Sequence, residues 1–279
     1  MLIQGLVFAH AVLVVVFSIR ILLRDNLSSA ARLAWFMFML FVPYAGVVLY
    51  LLFGEISLGR TVHRRHDEIL SRIRSIAADS LGSCDENLEG NVETEYQTAF
   101  RAASVDGFGT TLGNKAELLP DATTARSRLI EDIDNATKSV QCLYYIWLND
   151  NTGRNVAAAL VRAVKRGVIV HAMADGLGSR KFVQSKVWRE MGDAGVKLSV
   201  ALPWKWVIDT ILFSRLDLRN HRKITVIDSC ITWCGSQNCA DPEFLVKAKF
   251  APWVDIMLRL KGPVVAQNQL LFASDWLLN

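Results

Sequence analysis

The sequence predicts an α/β protein: a mixed sheet flanked by helices, preceded by a two-helix transmembrane hairpin. Three observations carry this. Only Arg20, Arg24, Asp25, Arg32, Glu55 and Arg60 are charged in the first 60 residues. Beyond them charges recur at roughly the one-in-four density usual for a folded soluble domain. In that later part, β-branched and aromatic runs alternate with amphipathic stretches that stop at glycine, which is the order of a sheet covered by helices. A chain of 279 residues, 52% hydrophobic and 21% charged, is not a disordered tail. Its net charge of +4 is too small to argue for a nucleic-acid partner.

Residues 2–23 are apolar apart from Gln4, Gly5, His10, Ser18 and Arg20. Residues 33–53 are apolar without a charge. Each approaches the roughly 20 residues that cross a bilayer as a helix, and the polar stretch from Arg24 to Ser29 separates them. Pro43 and Gly46 are tolerated in a membrane helix more readily than in a soluble one. The alternative for the first span is a signal peptide. No Lys or Arg precedes it, and a second span follows at once, so the hairpin is preferred. Arg60, Arg64, Arg65, Arg72 and Arg74 follow the second span, against Arg24 and Arg32 in the connecting loop. This bias predicts a multi-pass membrane protein with the body that follows the hairpin in the cytoplasm.

Ile69, Leu70, Ile73 and Ile76 recur at helical spacing in a basic juxtamembrane stretch, 60–78. Residues 79–110 read as a loop-rich linker. The expected division is therefore 1–59 hairpin, 60–110 juxtamembrane helix and linker, and 111–279 α/β body. Within the last, helices are predicted over 123–136, 156–166 and 181–194, and from 263 to about 277. Strands are predicted over 139–148, 168–174, 196–201, 223–227, 231–234 and 254–260.

The five cysteines are odd in number and show no disulfide-framework spacing, which suits a reducing compartment. A zinc site at Cys230, Cys234 and Cys239 is the alternative, but no second cysteine pair accompanies them. Buried free thiols are expected.

One polar array stands out: Asn220-His221-Arg222-Lys223, then Asp228, then Gly235-Ser236-Gln237-Asn238, a spacing of H-x-K-x4-D-x6-G-S-x-N. On a strand, side chains two apart share a face, so His221 and Lys223 would project together. An ammonium neutralises phosphoryl oxygens while an imidazole nitrogen attacks phosphorus. Ser236 and Asn238, on the next strand, can donate hydrogen bonds to the same oxygens. The alternative is a solvated charge cluster on an edge strand. The apolar Ile224, Val226 and Ile227 and the return of polar residues in register count against it.

With this spacing the chain resembles the phospholipase D superfamily, whose HKD motif it reproduces, and within it is similar to bacterial cardiolipin synthases. Matching stretches include Trp35 through Pro43, Gly46, Tyr50 and Gly54. They also include Tyr144-Tyr145-Ile146-Trp147, Arg166-Gly167-Val168, Asp175-Gly176-Leu177-Gly178-Ser179 and Ala194-Gly195-Val196. Toward the C-terminus they include Arg219 through Lys223, Trp253-Val254-Asp255, Lys261-Gly262-Pro263-Val264-Val265, and Phe272 to Asp275-Trp276.

The resemblance implies a phospholipase D-like half and a phosphatidyl transfer between phosphatidylglycerol molecules through a phosphohistidine. His221, Lys223 and Asp228 are then the catalytic motif, with His221 as nucleophile or general acid and Asp228 as a structural partner. Lys223, Ser236 and Asn238 bind phosphate, and Asp255 holds the far imidazole nitrogen. Neither metal nor other cofactor is implied. The family carries two such motifs and this chain one. The resemblance therefore implies a homodimer, a second HKD-bearing chain, or an inactive half serving as a membrane interaction subunit. A phospholipase D-type hydrolase is the alternative activity. The expected partners are a phospholipid membrane and phosphatidylglycerol, with no nucleic acid. The stretch from Leu202 to Trp206, with Phe213, is either a bilayer contact or core.

Overall fold

The computed structural model describes residues 2–24, 27–54, 113–202, 219–244 and 254–278, with a few isolated positions between 68 and 111. The predicted juxtamembrane helix and linker lie almost wholly outside these residues. So do residues 203–206, Phe213 and Trp253. The N-terminal helices and the sheet domain fall into separate compact units.

In the first unit, α1 runs Leu2–Leu22, α2 Ser29–Phe41 and α3 Pro43–Leu49, and a π-turn follows at Tyr50–Gly54. The expected second span, 33–53, is thus not one helix. Pro43 lacks an N–H and disfavours helical backbone at the residue before it. Val42 leaves the helical region, with φ −137° and ψ 62°, and Pro43 opens the next helix. Ile21, Met39 and Tyr50 are fully buried together, beside Phe17, Trp35 and Val47. A Cβ at Gly46 would lie 3.3 Å from the Met39 backbone, so the glycine lets α3 close on α2. His10 Nδ1 and the Tyr44 hydroxyl pair at 3.2 Å. Among the described residues no helix is long and apolar enough to cross a membrane. Residues 2, 3 and 6–9 of α1 are described as helix only.

The second unit is a seven-stranded mixed sheet among the described residues. Its strands are β1 Lys115–Leu118, β2 Ser139–Tyr144, β3 Ile169–Asp175, β4 Lys197–Ala201, β5 Lys223–Ile227, β6 Ile231–Gly235 and β7 Met257–Lys261. Their order is β1-β7-β6-β5-β2-β3-β4. β2, β3 and β4 are parallel, and the other pairings are antiparallel.

Alternation along the inner strands serves two covered faces. Val140, Cys142 and Tyr144 of β2 and Val170, Ala172 and Ala174 of β3 form the main core. They pack with α4 (Ala122–Asp134), α5 (Asn151–Lys165), the short α6 (Arg180–Val183) and α7 (Lys186–Asp193). Leu143 and Met173 face the other way against Phe272, and Ile224 and Val226 against Val265, both on α8 (Val264–Leu278).

The expected helix over 181–194 is two helices. The Ser185 hydroxyl accepts the Trp188 N–H at 3.2 Å, starting a new helix there. β1 was not anticipated: its Lys-Ala-Glu-Leu run is only four residues long and all four are exposed. Cys142 and Cys239 are buried free thiols and Cys234 is half-buried. Cys230, expected to be buried, is exposed in the β5–β6 turn. Among the described residues no group of histidines, cysteines and carboxylates could hold a metal ion.

Candidate active site

Strand register brings the polar residues to one end of the sheet. Tyr144 lies opposite Lys223, Ile224 opposite Cys234, Gly235 opposite Met257, and Asp175 opposite Ala201. The ends of β2, β3, β4 and β6 therefore meet the beginnings of β5 and β7. This is the carboxyl end of the parallel strands, where open α/β sheets bind ligands.

His221 lies just ahead of β5 rather than on it. Its Nδ1 is 3.0 Å from the Arg219 carbonyl oxygen. A carbonyl can only accept, so in the neutral ring Nδ1 carries the proton and Nε2 keeps its lone pair. The segment bearing this histidine is anchored on both sides. Arg219, 5% exposed, donates from Nε and Nη2 to the fully buried Asp175 carboxylate at 3.0–3.2 Å, and from Nη2 to the Leu202 carbonyl at 2.8 Å. Asn220 donates to Asp275 of α8 at 2.8 Å, and Arg222 donates to both oxygens of the same carboxylate at 2.9 Å.

Tyr145, at the end of β2, supplies a wall. Its ring centroid is 4.2 Å from that of His221 and 5.8 Å from Lys223 Nζ, within reach for a cation–π contact. Lys223 Nζ donates to the His221 carbonyl at 2.7 Å. An ammonium has three donors, so this bond leaves others for a ligand. Burial pushes the Lys223 pKa down, and the nearby Asp255 charge only partly opposes it.

The phosphate-binding expectations fare differently from one another. The Asn238 amide oxygen accepts the Ile146 N–H at 3.1 Å, leaving its NH2 as the donating end. This loop is fixed to the next segment. Leu148 N–H donates to the Cys239 carbonyl, and Asp241 caps α5 by accepting the Asn151 and Thr152 N–H groups. Ser236 Oγ donates to Asp255 Oδ1 at 2.8 Å and accepts the Ile256 N–H at 3.0 Å, so in this arrangement its one proton is committed. Asp255 is thereby the partner of Ser236. The role expected for it on the imidazole falls, at Nδ1, to the Arg219 main chain.

Asp228, grouped with the catalytic residues on sequence, is not with them. It sits in the β5–β6 turn, five residues beyond Lys223, roughly 17 Å along an extended strand. There its carboxylate accepts the N–H groups of Thr137, Lys138 and Ser139 and the Thr137 hydroxyl at 2.7–3.0 Å. Asp228 and Ser229 both have positive φ, 52° and 55°, and Cys230 N–H returns to the Ile227 carbonyl. This is a type I′ hairpin turn.

The site thus presents, among the described residues, an imidazole whose Nε2 has no hydrogen-bond partner beside an ammonium, walled by a tyrosine whose neighbour Ile146 is held by Asn238. Such a set suits attack on a phosphodiester. Asp175, Arg219, Tyr145 and Asp275 support it but were missed as functional in the sequence. Asp175, at the end of a parallel strand before Gly-x-Gly, carried the clearest signal.

Residues 129–276 match the family described as "Cardiolipin synthase, PLD-like domain", and residues 12–55 match "Phospholipase_D-nuclease N-terminal". The chain belongs to the bacterial cardiolipin synthase family of the phospholipase D superfamily. It is 31% identical over 277 residues to cardiolipin synthase A of Yersinia pseudotuberculosis serotype IB, covering 97% of this chain and 55% of that protein. It is 31% identical over 250 residues to cardiolipin synthase A of Proteus mirabilis, covering 88% and 50%. The chain spans about half the length of the curated relatives it matches. NucT from Helicobacter pylori is similar with a TM-score of 0.44 at 19% identity, over 58% of this chain and 94% of that one. Nuc from Salmonella typhimurium, a phospholipase D family member, gives 0.41 at 20% identity, over 59% and 93%.

Proposed function

We propose that this chain catalyses phosphatidyl transfer between phosphatidylglycerol molecules, giving cardiolipin and glycerol. The observation that carries the reading is the His221 imidazole, whose Nδ1 is held by the Arg219 carbonyl so that Nε2 keeps its lone pair, beside Lys223 at the carboxyl end of the parallel strands. Nε2 attacks phosphorus, a P–N bond forms, and the P–O bond to the leaving glycerol breaks. A second imidazole gives that glycerol its proton. It then takes the proton of the acceptor phosphatidylglycerol's hydroxyl, whose oxygen displaces His221 from phosphorus. Lys223 and the Asn238 NH2 hold the phosphoryl oxygens, and Ser236 joins them by turning its proton from Asp255.

The mechanism needs two imidazoles and the chain offers one in this motif. A second copy, or a second HKD-bearing chain, brings the other to the same phosphorus. Residues 1–59 anchor the protein in the bilayer, 60–110 link, and 111–279 form the catalytic half on the cytoplasmic face of the inner membrane. The charge-poor first 60 residues support the anchor.

The test is purified full-length chain in detergent with labelled phosphatidylglycerol. Labelled cardiolipin and released glycerol are expected, dependent on His221. Phosphatidic acid alone would make the protein a hydrolase. No turnover by folded chain, alone or with a second motif-bearing chain, would make it an inactive half.

A further inference from the structure

We infer that Asp175 is a positioning residue for His221 and sets, from two sides, which imidazole nitrogen reacts. The inference deepens the reading of His221 as the attacking group and rests on it for its kinetic arm alone.

Asp175 is fully buried at the end of β3 and cannot itself meet a substrate. Its carboxylate divides its bonds between two supports. The first is Arg219: Nε and Nη2 donate to Asp175, and Nη2 also donates to the Leu202 carbonyl at the end of β4. A guanidinium is a rigid planar fork, so acceptors on two strand ends fix it in place. The main-chain carbonyl of this same residue accepts the His221 Nδ1 proton.

The second support runs through a turn. Asp175 Oδ1 accepts the Leu177 and Gly178 N–H groups at 2.9 Å. The turn so made brings Gly178 against Tyr145: a Cβ there would collide with the Tyr145 carbonyl and come within 3.0 Å of its ring. Ser179 Oγ donates to that same carbonyl at 3.0 Å. The Tyr145 ring in turn packs on the His221 imidazole. One carboxylate thus lies at the root of both the hydrogen bond that fixes the tautomer and the ring that fixes the imidazole's orientation.

A carboxylate bonded directly to Nδ1 would fix the tautomer and stabilise the imidazolium together. A carbonyl fixes the tautomer and carries no charge, so charge stabilisation is left to other groups. Asp175 supplies geometry through two intermediaries.

The test uses the full chain in detergent, labelled with 15N-histidine, with His221→Gln to assign the His221 signals. In its neutral form, the wild-type imidazole should show a protonated Nδ1 and an unprotonated Nε2. In Asp175→Asn the two nitrogens should move toward averaged tautomers. kcat for transfer should fall by at least about tenfold, as expected when the wrong tautomer is admitted, with KM within about twofold. Asp175→Asn leaves the Arg219 charge buried without its partner. The double variant Asp175→Asn/Arg219→Gln removes both charges and answers the same question should the single variant not fold. A His221 spectrum unchanged from wild type in folded variant protein would overturn the inference, whatever happens to thermal stability. If wild type proves inactive in transfer, the functional reading fails while the tautomer spectrum still decides the role of Asp175.

Discussion

The two ends of the β5–β6 hairpin make an instructive contrast. At one end His221 is exposed, its Nε2 has no hydrogen-bond partner among the described residues, and Lys223 retains donors. At the other end Asp228 has four donors on one carboxylate and sits in a tight turn. One compact sequence motif therefore supplies chemistry at one end of a strand and architecture at the other. Groups that must act on a ligand are left with spare bonding capacity. The group that locks the hairpin onto the start of β2 spends all of its own.

Substitutions can break this contrast. The largest effect belongs to His221→Gln, which should lower transfer by at least about 10⁴-fold with the melting temperature within a few degrees of wild type. Steady-state kinetics beside a melting curve checks both. Lys223→Ala should cost about 10²–10³-fold, the usual scale for losing one preorganised group that stabilises charge at the reacting centre. Because burial holds the Lys223 pKa below its usual 10.5, wild-type activity should decline with rising pH earlier than an ordinary lysine would allow. A kcat/KM profile reads this.

Asp228→Ala should do the converse. It removes four hydrogen bonds worth about 1 kcal/mol each, so unfolding free energy should fall by about 3–4 kcal/mol. Activity per folded molecule should stay within about twofold. Burial raises the Asp228 pKa, but the bonds from Ser139, Thr137 and Lys138 outweigh it, and the net shift is downward. The stability it contributes is then present above the ordinary carboxylate pKa and is lost as pH falls through the lower folded value. Denaturant titrations between pH 5 and about 2 should show a shallower acid loss in Asp228→Asn than in wild type. The smallest effect is expected for Asp275→Asn. Its charged partner Arg222 is 43% exposed, so solvent screening keeps that pair near 1 kcal/mol or less; Asn220 can still donate to the amide oxygen, and transfer should fall only a few-fold.

Much of this was legible in the sequence. The strand pair 223–227 and 231–234 matches β5 and β6 nearly residue for residue, because apolar alternation and the Asp-Ser turn act locally. The pairing of His221 with Lys223 followed from spacing. The break at Pro43 was written in the chain, but hydrophobicity over 33–53 obscured it. The partner of the imidazole was not legible. Arg219 contributes a carbonyl, which every residue possesses, so no side-chain pattern could announce it. Asp175 and Arg219 are 44 residues apart and meet only because β3 and β4 end beside β5's approach. Asp228 was grouped with His221 and Lys223 as a structural member of the motif, but a linear motif does not say at which end of a strand its members sit.

The most direct test of the division within the motif is trapping of the phosphoenzyme. Labelled phosphatidylglycerol is mixed with wild type, His221→Gln and Asp228→Asn, and each is quenched in a denaturant that preserves P–N bonds. An adduct on wild type and, per folded molecule, on Asp228→Asn, with none on His221→Gln, is the predicted result. An adduct that survives His221→Gln, or one lost from well-folded Asp228→Asn, would contradict the account.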